Sequence, residues 1–423
     1  MIRALGLASG YDSRPVVRDV NLAVRSGEFV AVIGPNASGK TTLLRTLASL
    51  LRPLGGVVYL EGRPLTELKR REIARRVGVV LTESVKPGRL TVFELVALGR
   101  YPYTGPLGRL SDNDRAEVMR ALRDVGVEHL CDEVFSELSD GQRQKVMIAR
   151  ALAQDPRVLI LDEPVTFLDP KARVDILLSL RRICRERHIA VLASMHEIEL
   201  ALRLADRLLV VHNGFVESFD SPEEFVAKSG PEALYGLDGD ANFSAVHMTM
   251  ELRHYPIRQP VFVIAGAGTG ALVYRMLSRL GYPIITGVLH RGDIDYSVAS
   301  LLGARVVSEE PFRPVSREAL EEAQEAAGES FAAIYTSPPI GPMNSANQLL
   351  AKLLASCGVP LIVYGGGSVD GAWRKTTKLS EVASALEELE QHRPRSGPRQ
   401  VKPSRQSTAQ LNTGAGPMAP RDT

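Results

Sequence analysis

Gly34-Pro35-Asn36-Ala37-Ser38-Gly39-Lys40-Thr41 is the stretch that decides the fold. It obeys GxxxxGK[ST], follows the apolar run Phe29-Val30-Ala31-Val32-Ile33, and opens a helical pattern. Strand, glycine loop and helix in that order form the context in which such a loop cradles phosphate. Glycines let the backbone wrap closely, successive N–H groups turn inward, and the helix N-terminus adds partial positive charge. Gly34, Pro35, Asn36, Ala37, Ser38 and Gly39 are therefore read as the cradle, with Thr42 carrying it into the helix. Lys40 is placed to neutralise β/γ oxygens, and the Thr41 hydroxyl to ligate Mg²⁺.

Outward from the loop, Val158-Leu159-Ile160-Leu161 and Ala190-Val191-Leu192-Ala193 are continuous apolar runs of the kind buried in parallel sheets. The first ends in Asp162-Glu163-Pro164. At the mouth of a strand, Asp162 can hold Mg²⁺ through water, and Glu163 beside it can polarise an attacking water. Residues 1 to about 240 thus read as an α/β unit of alternating strands and helices. Between about 84 and 150 the pattern turns helical, opening with Thr91-Val92-Phe93-Glu94-Leu95, as an insertion within the sheet.

Leu138-Ser139-Asp140-Gly141-Gln142 precedes another helix about twenty residues before Asp162. It closely resembles LSGGQ, the signature of ABC-type ATPases, with Asp140 at the middle glycine. By that resemblance residues 1–240 are expected to be an ABC nucleotide-binding domain that binds ATP with Mg²⁺ and hydrolyses it. The family pattern then gives Tyr11 as the aromatic stacking on adenine, Phe167-Leu168-Asp169 as the D-loop, and His196 as the switch histidine. Ser139, Gly141 and Gln142 at a helix start make a second anion site. In the family they close on the nucleotide of a second copy, so a head-to-tail homodimer is implied.

Two positions depart from the pattern. Glu83, in Val80-Leu81-Thr82-Glu83, stands where the family has a glutamine; it can ligate Mg²⁺ but cannot donate a hydrogen bond when ionised. Ala37 replaces a common glycine, which is tolerable if its φ is negative. Leu98-Gly99-Arg100-Tyr101-Pro102-Tyr103, continuing into Gly105 and Gly108-Arg109-Leu110-Ser111, resembles a segment of importers for iron-siderophores, haem and cobalamin. The resemblance implies transmembrane permease subunits as partners and, through them, a substrate-binding protein. It implies a peripheral position at the cytoplasmic face of the membrane. Cobalamin or a related metal chelate is the expected cargo, with iron-siderophore or haem as the alternative. A soluble nucleotide sensor is the rival of another class, with Glu83 as its oddity.

Residues 245–253 alternate, with Val246, Met248, Met250 and Leu252 apolar, which predicts a half-buried strand within a linker of 241–259. A smaller Rossmann-like α/β domain is expected over 260–392, with strands near 261–264, 284–289, 305–308, 331–335 and 361–364 and a last helix over 379–391. Its Gly266-Ala267-Gly268-Thr269-Gly270-Ala271 turn matches GxGxx[GA]. The second strand lacks an acid at its tip, ending in His290-Arg291-Gly292-Asp293, so a dinucleotide site is only weakly indicated. This turn and Gly292-Asp293-Ile294-Asp295-Tyr296 are similar to elements of domains appended to archaeal cobalamin-importer-like ATPases. A regulatory role and a dimerisation role both remain open for it. Residues 393–423 hold five prolines, six Lys/Arg and one acid, a composition expected to be disordered.

Composition sets the outer limits. At 423 residues, two or three domains of about 150 are expected. Lys and Arg number 51 against 49 Asp and Glu, leaving +2, which gives no footprint for a nucleic-acid backbone. Aromatics at 5% are too sparse for base-stacking platforms. Cys131, Cys184 and Cys357 form no CxxC or metal spacing, as expected of a reducing cytoplasm. No apolar run approaches the ~20 residues a bilayer requires, and Met1–Gly6 does not read as a signal peptide.

Overall fold

A computed structural model describes residues 1–81, 88–105, 108–237, 241–245, 248–252 and 254–392. The chain divides into two compact units, Met1–Leu237 with Ala245–Thr249, and the remainder. The expected disordered tail, 393–423, lies outside the described residues.

In the first unit β1 (Ile2–Tyr11), β2 (Arg14–Val24), β4 (Gly55–Leu60) and β5 (Arg63–Pro64) form an antiparallel sheet, order β2-β1-β4-β5. Sequence patterning had not revealed it. Along β1 the inward residues Ile2, Ala4 and Leu7 lose their period at Gly6, where φ is 55° and the register shifts, and Leu5 points to solvent. A bulge of this kind erases the two-residue period a sequence reader depends on.

The second sheet holds β3 (Phe29–Ile33), β6 (Val77–Val80), β7 (Val158–Asp162), β8 (Ala190–Ser194), β9 (Arg207–His212) and β10 (Phe215–Phe219). Its order is β10-β9-β3-β8-β7-β6, and all neighbours are parallel except β10 with β9. Every residue of β3, β7 and β8 is buried, as their unbroken apolar runs require. Helices α1 (Lys40–Leu47), α2 (Arg70–Ala74), α6 (Pro170–Glu186), α7 (Ile198–Leu204), α8 (Pro222–Lys228) and α9 (Gly230–Tyr235) complete this part. One apolar cluster joins Leu7 and Val20 of the first sheet to Leu43 and Leu44 of α1 and to Val30 and Ile160 of the second. The helix that starts at Lys40 is thereby fixed from both sides.

Between β6 and β7 lie α3 (Val92–Ala97), α4 (Asp112–Asp124) and α5 (Asp140–Leu152). Their starts are written in the sequence: Thr91, Ser111 and Ser139 each cap a helix, with Glu94, Asp114 and Gln142 reaching back. The Leu98–Tyr103 segment is locked onto this insertion. A Cβ at Gly99 would lie 2.2 Å from the Arg150 carbonyl oxygen, so only glycine fits. Buried Arg100 donates to Asp114 at 2.9 Å and to the Ala153 carbonyl at 2.8 Å, with its guanidinium 3.8 Å from the Tyr103 ring centroid. Arg71 donates to the carbonyls of Pro102 (2.6 Å) and Thr104 (2.7 Å).

The second unit opens with a two-stranded pair, β11 (Ala241–Ser244) and β12 (Thr249–Leu252), in place of the single strand expected over 245–253. Met248 takes φ 52°, a turn conformation, so the alternating pattern begins before the strand does. Next come β13 (Val261–Ile264), α10 (Ala271–Arg279), β14 (Ile284–His290), α11 (Ile294–Leu301), β15 (Arg305–Glu309), α12 (Arg317–Gly328) and β16 (Ala332–Tyr335). The unit ends with α13 (Ser345–Ser356), β17 (Leu361–Tyr364), β18 (Arg374–Thr376) and α14 (Leu379–Gln391). All six sheet strands are parallel, in the order β15-β14-β13-β16-β17-β18. That is the doubly wound Rossmann order, with its reversal between β13 and β16. Separate apolar clusters cover its two faces, one built around Tyr274 and Leu386, the other around Leu320 and Leu354.

The Arg100–Asp114 pair yields a stability prediction. Removing one partner of a buried ion pair leaves an uncompensated charge, so Asp114→Ala should cost about 3 kcal/mol in chemical denaturation. The Ser111 hydroxyl foremost, with the Ser111 amide and Arg100, holds the Asp114 carboxyl below its usual value. A carboxyl depressed in this way stabilises the fold above its unfolded pKa, and the contribution fades as pH falls. The gap between parent and Asp114→Ala should therefore narrow below about pH 4.

Candidate functional site

The carboxyl ends of β3, β7 and β8 meet at one edge of the second sheet. Parallel register sets Val32 beside Ser194, and Ser194 beside Asp162. The Ser194 hydroxyl donates to Asp162 Oδ1 at 2.7 Å and accepts the Glu163 N–H at 2.8 Å. Thr41, in the first turn of α1, donates to the same Oδ1 at 3.2 Å. Asp162 is buried, so its orientation is set by these hydroxyls. Ser194 is a residue the sequence reading missed. Its signal was a lone hydroxyl closing the run Ala190–Ala193, interpretable only once the register between β7 and β8 is known.

The glycine loop fits its space with no margin. A Cβ at Gly34 would lie 2.1 Å from the Val211 carbonyl oxygen; one at Gly39 would press on Val17 and Val16 at 2.8 and 2.9 Å. Ala37 has φ 61°, so the condition on which alanine was tolerable here, a negative φ, is not met. The turn demands a left-handed residue here, and alanine occupies it at a cost of roughly 1–2 kcal/mol relative to its preferred region. The Lys40 ammonium donates to the carbonyls of Gly34 (2.8 Å) and Pro35 (2.9 Å), leaving one of its three N–H groups for another oxygen. Burial pulls its pKa below the ordinary lysine value, while Glu163 and Asp162 oppose that shift.

A cleft of about 670 Å³ opens beside the loop, lined by Asn36–Thr42 together with Val16, Glu163, Thr166, Phe167 and His196. Glu163, at φ 53°, pairs with His196 through Oε1 and Nε2, and its Oε2 accepts the Thr166 hydroxyl at 3.2 Å. Such strained positions concentrate at functional sites. Ser38 carries a buried hydroxyl with no hydrogen-bond partner among the described residues, on the loop that lines the cleft. A phosphate oxygen is the acceptor it lacks. The donor set around the cleft is an ammonium, hydroxyls and loop amides, with a buried carboxylate and a threonine hydroxyl at one end. That chemistry suits a nucleotide triphosphate with Mg²⁺, the divalent ion that prefers oxygen ligands.

Other sequence-predicted residues lie elsewhere in the first unit. Tyr11 ends β1 at a hairpin tip, is 45% exposed, and does not line this cleft. Ser139 caps α5, with its oxygen accepting the Gln142 N–H; neither these two nor Gly141 line the cleft. Asp169 caps α6 by accepting the N–H groups of Lys171 and Ala172, both at 3.0 Å. A Cβ at Gly141 would lie 3.0 Å from the Cβ of Ala172, so the starts of α5 and α6 touch. Glu83 falls outside the described residues.

In the second unit the glycine turn after β13 carries different chemistry. The Ala267 N–H donates to Asp293 Oδ2 at 2.8 Å, and the Gly270 N–H to both oxygens of fully buried Asp295 at 3.1 and 3.0 Å. Burial raises the Asp295 carboxyl above its usual value. The start of α10 is thus occupied by the chain's own carboxylates, which removes the donors a pyrophosphate would use.

Comparison with known proteins agrees with this geometry. The family model described as ABC transporter matches residues 17–166, and the MJ0874 family model matches residues 284–396. An uncharacterized ABC transporter ATP-binding protein of Methanocaldococcus jannaschii is 44% identical, over 68% of this chain and 100% of its own. The ferric enterobactin transport ATP-binding protein of Escherichia coli is 37% identical, over 56% of this chain and 87% of its own. A cobalamin import ATP-binding protein of Halobacterium salinarum is 32% identical, over 70% of this chain and 76% of its own. Among solved structures, a nucleotide-free ATP-binding cassette from an ABC transporter superposes with a TM-score of 0.50 at 26% identity, covering 55% of this chain and 96% of that one. The chain belongs to the ATP-binding proteins of ABC transporters, which couple the hydrolysis of ATP to transport.

Proposed function

We propose that this chain is the ATP-hydrolysing subunit of an importer for cobalamin or a related metal chelate. The observation that carries the choice of cargo is how far the likeness extends. The cobalamin import protein matches over 70% of this chain, more than the first unit contains, whereas the ferric enterobactin protein stops at 56%. The higher identity of the latter, 37% against 32%, favours a ferric-siderophore cargo as the second reading.

In this reading the loop amides and Lys40 bind the triphosphate, and Ser38 gains the acceptor it lacks. Thr41 and Asp162 hold Mg²⁺, with Ser194 fixing the carboxylate; the ion supplies charge neutralisation at the β/γ oxygens. Glu163 takes the proton of the attacking water, and His196 holds the carboxylate in place. Glu83, on sequence pattern alone, is a further Mg²⁺ ligand. Tyr11, exposed at its hairpin tip, is the aromatic proposed to stack on adenine. Ser139, Gly141 and Gln142 lie away from the cleft of their own chain, which supports a head-to-tail homodimer in which each copy completes the other's site, with Asp169 close to that junction. No helix among the described residues is long and apolar enough to cross a membrane, and the likeness to importer ATP-binding proteins supports permease subunits as partners and a position at the cytoplasmic face. The rigid Leu98–Tyr103 turn is the surface offered to them.

Reconstitution with the permease in vesicles tests the reading: ATP should drive uptake of cyanocobalamin. Uptake of ferric enterobactin but not cyanocobalamin would replace it by the second reading. Lys40→Ala should abolish tight ATP binding in equilibrium dialysis. Glu163→Gln should bind ATP but hydrolyse it about 10²-fold more slowly, the scale of a lost general base. Ser194→Ala should raise the Mg²⁺ concentration for half-maximal hydrolysis about tenfold, as loss of a ligand-orienting group does. Glu83→Ala should raise it too, while Glu83→Gln leaves it near the parent value.

A further inference from the structure

Helix α10 buries most of its apolar residues and leaves Leu272 exposed. Val273, Tyr274 and Leu277 face the sheet and are fully buried in the core. Leu272, Met276 and Leu280 follow at the i, i+4, i+8 spacing of one helix face; Met276 is buried in the core cluster with Leu280 packed against it, and Leu272 is exposed. This face forms one wall of a groove of about 620 Å³, the size class of sites for small organic ligands. Met250 and Leu252 of β12 form a second wall, and Leu379 of α14 a third. Leu252 and Leu272 are each 59% exposed, so the groove presents apolar surface to water at its mouth.

Its charges are of one dominant sign. Glu251 accepts two hydrogen bonds from Arg275 Nε, at 3.0 and 3.1 Å, and this pair ties β12 to α10. Arg279 and His254 also line the groove, both exposed, with no ion pair or hydrogen bond among the described residues. Apolar walls with an uncommitted guanidinium and imidazole at the rim complement a molecule with an apolar body and an anionic head. We propose that this groove binds a small amphipathic anion, at a site separate from the nucleotide cleft. Every residue lining the groove belongs to the second unit.

The test uses the full chain with saturating ATP and Mg²⁺ and the fluorescent naphthalene sulfonate ANS as probe. Saturable enhancement is expected, with Arg279→Glu and Leu272→Asp each weakening it about tenfold, the scale of one charge-assisted contact. Both residues are exposed, so neither substitution threatens folding, and an unchanged melting curve verifies this. Lys352→Glu, an exposed cation of α13 outside the groove, should leave the probe's affinity unchanged. Equal affinity in the parent and Arg279→Glu would overturn the proposal. So would light scattering in which Leu272→Asp converts a dimer into a monomer, because a second copy would then be the occupant. Neither result bears on the transport reading, which is measured by ATP-driven uptake.

Discussion

The Ser194 hydroxyl is the point on which the catalytic edge depends. It accepts the Glu163 amide and donates to the Asp162 carboxylate, so one side chain of β8 sets the last residue of β7 and the residue that follows it. This works only in one register, with Asp162 opposite Ser194 and Ser194 opposite Val32. That register is enforced by strands buried on both faces, where a slip by one residue would bring every side chain to the wrong layer. Core packing and site geometry are thus the same constraint seen from two sides. The glycine loop extends it, since Gly34 abuts Val211 and Gly39 abuts Val16 and Val17, with no space for a side chain.

How much of this was legible in sequence follows from the range of each interaction. Lys40, Thr41, Asp162 and Glu163 were readable because a loop and a strand end declare themselves within a few residues. The starts of α3 and α5 were readable for the same reason, whereas the start of α4 at Ser111 went unread although its capping serine is in the sequence. Ser194 was not, because its meaning lies in pairing with a strand about thirty residues away. The antiparallel sheet of β1, β2, β4 and β5 was hidden by the bulge at Gly6. The sign of φ at Ala37 could not be read, because loop closure, rather than the residue's own preference, sets it. β18 is only three residues long, and of these only Thr376 is buried, leaving no period to detect.

The second unit separates motif from chemistry. Its glycine turn stands after the first strand and before the first helix of a doubly wound sheet, the position a dinucleotide fingerprint occupies. No acid stands at the tip of β14, which ends at His290; Asp293 caps α11 three residues on and accepts the Ala267 amide. With Asp295 it closes the helix start from within. The fold is Rossmann-like in strand order and unlike a dinucleotide site in its donors.

That internal closure has a practical consequence for how such a chain behaves in selection by affinity. A helix start whose amides donate to two carboxylates projects little field, so a resin bearing immobilised nucleotide would be held by the cassette's loop and not by this turn. Retention and elution would then report on the cassette alone, and a pattern search that counts glycine fingerprints would overstate the chain's nucleotide capacity twofold.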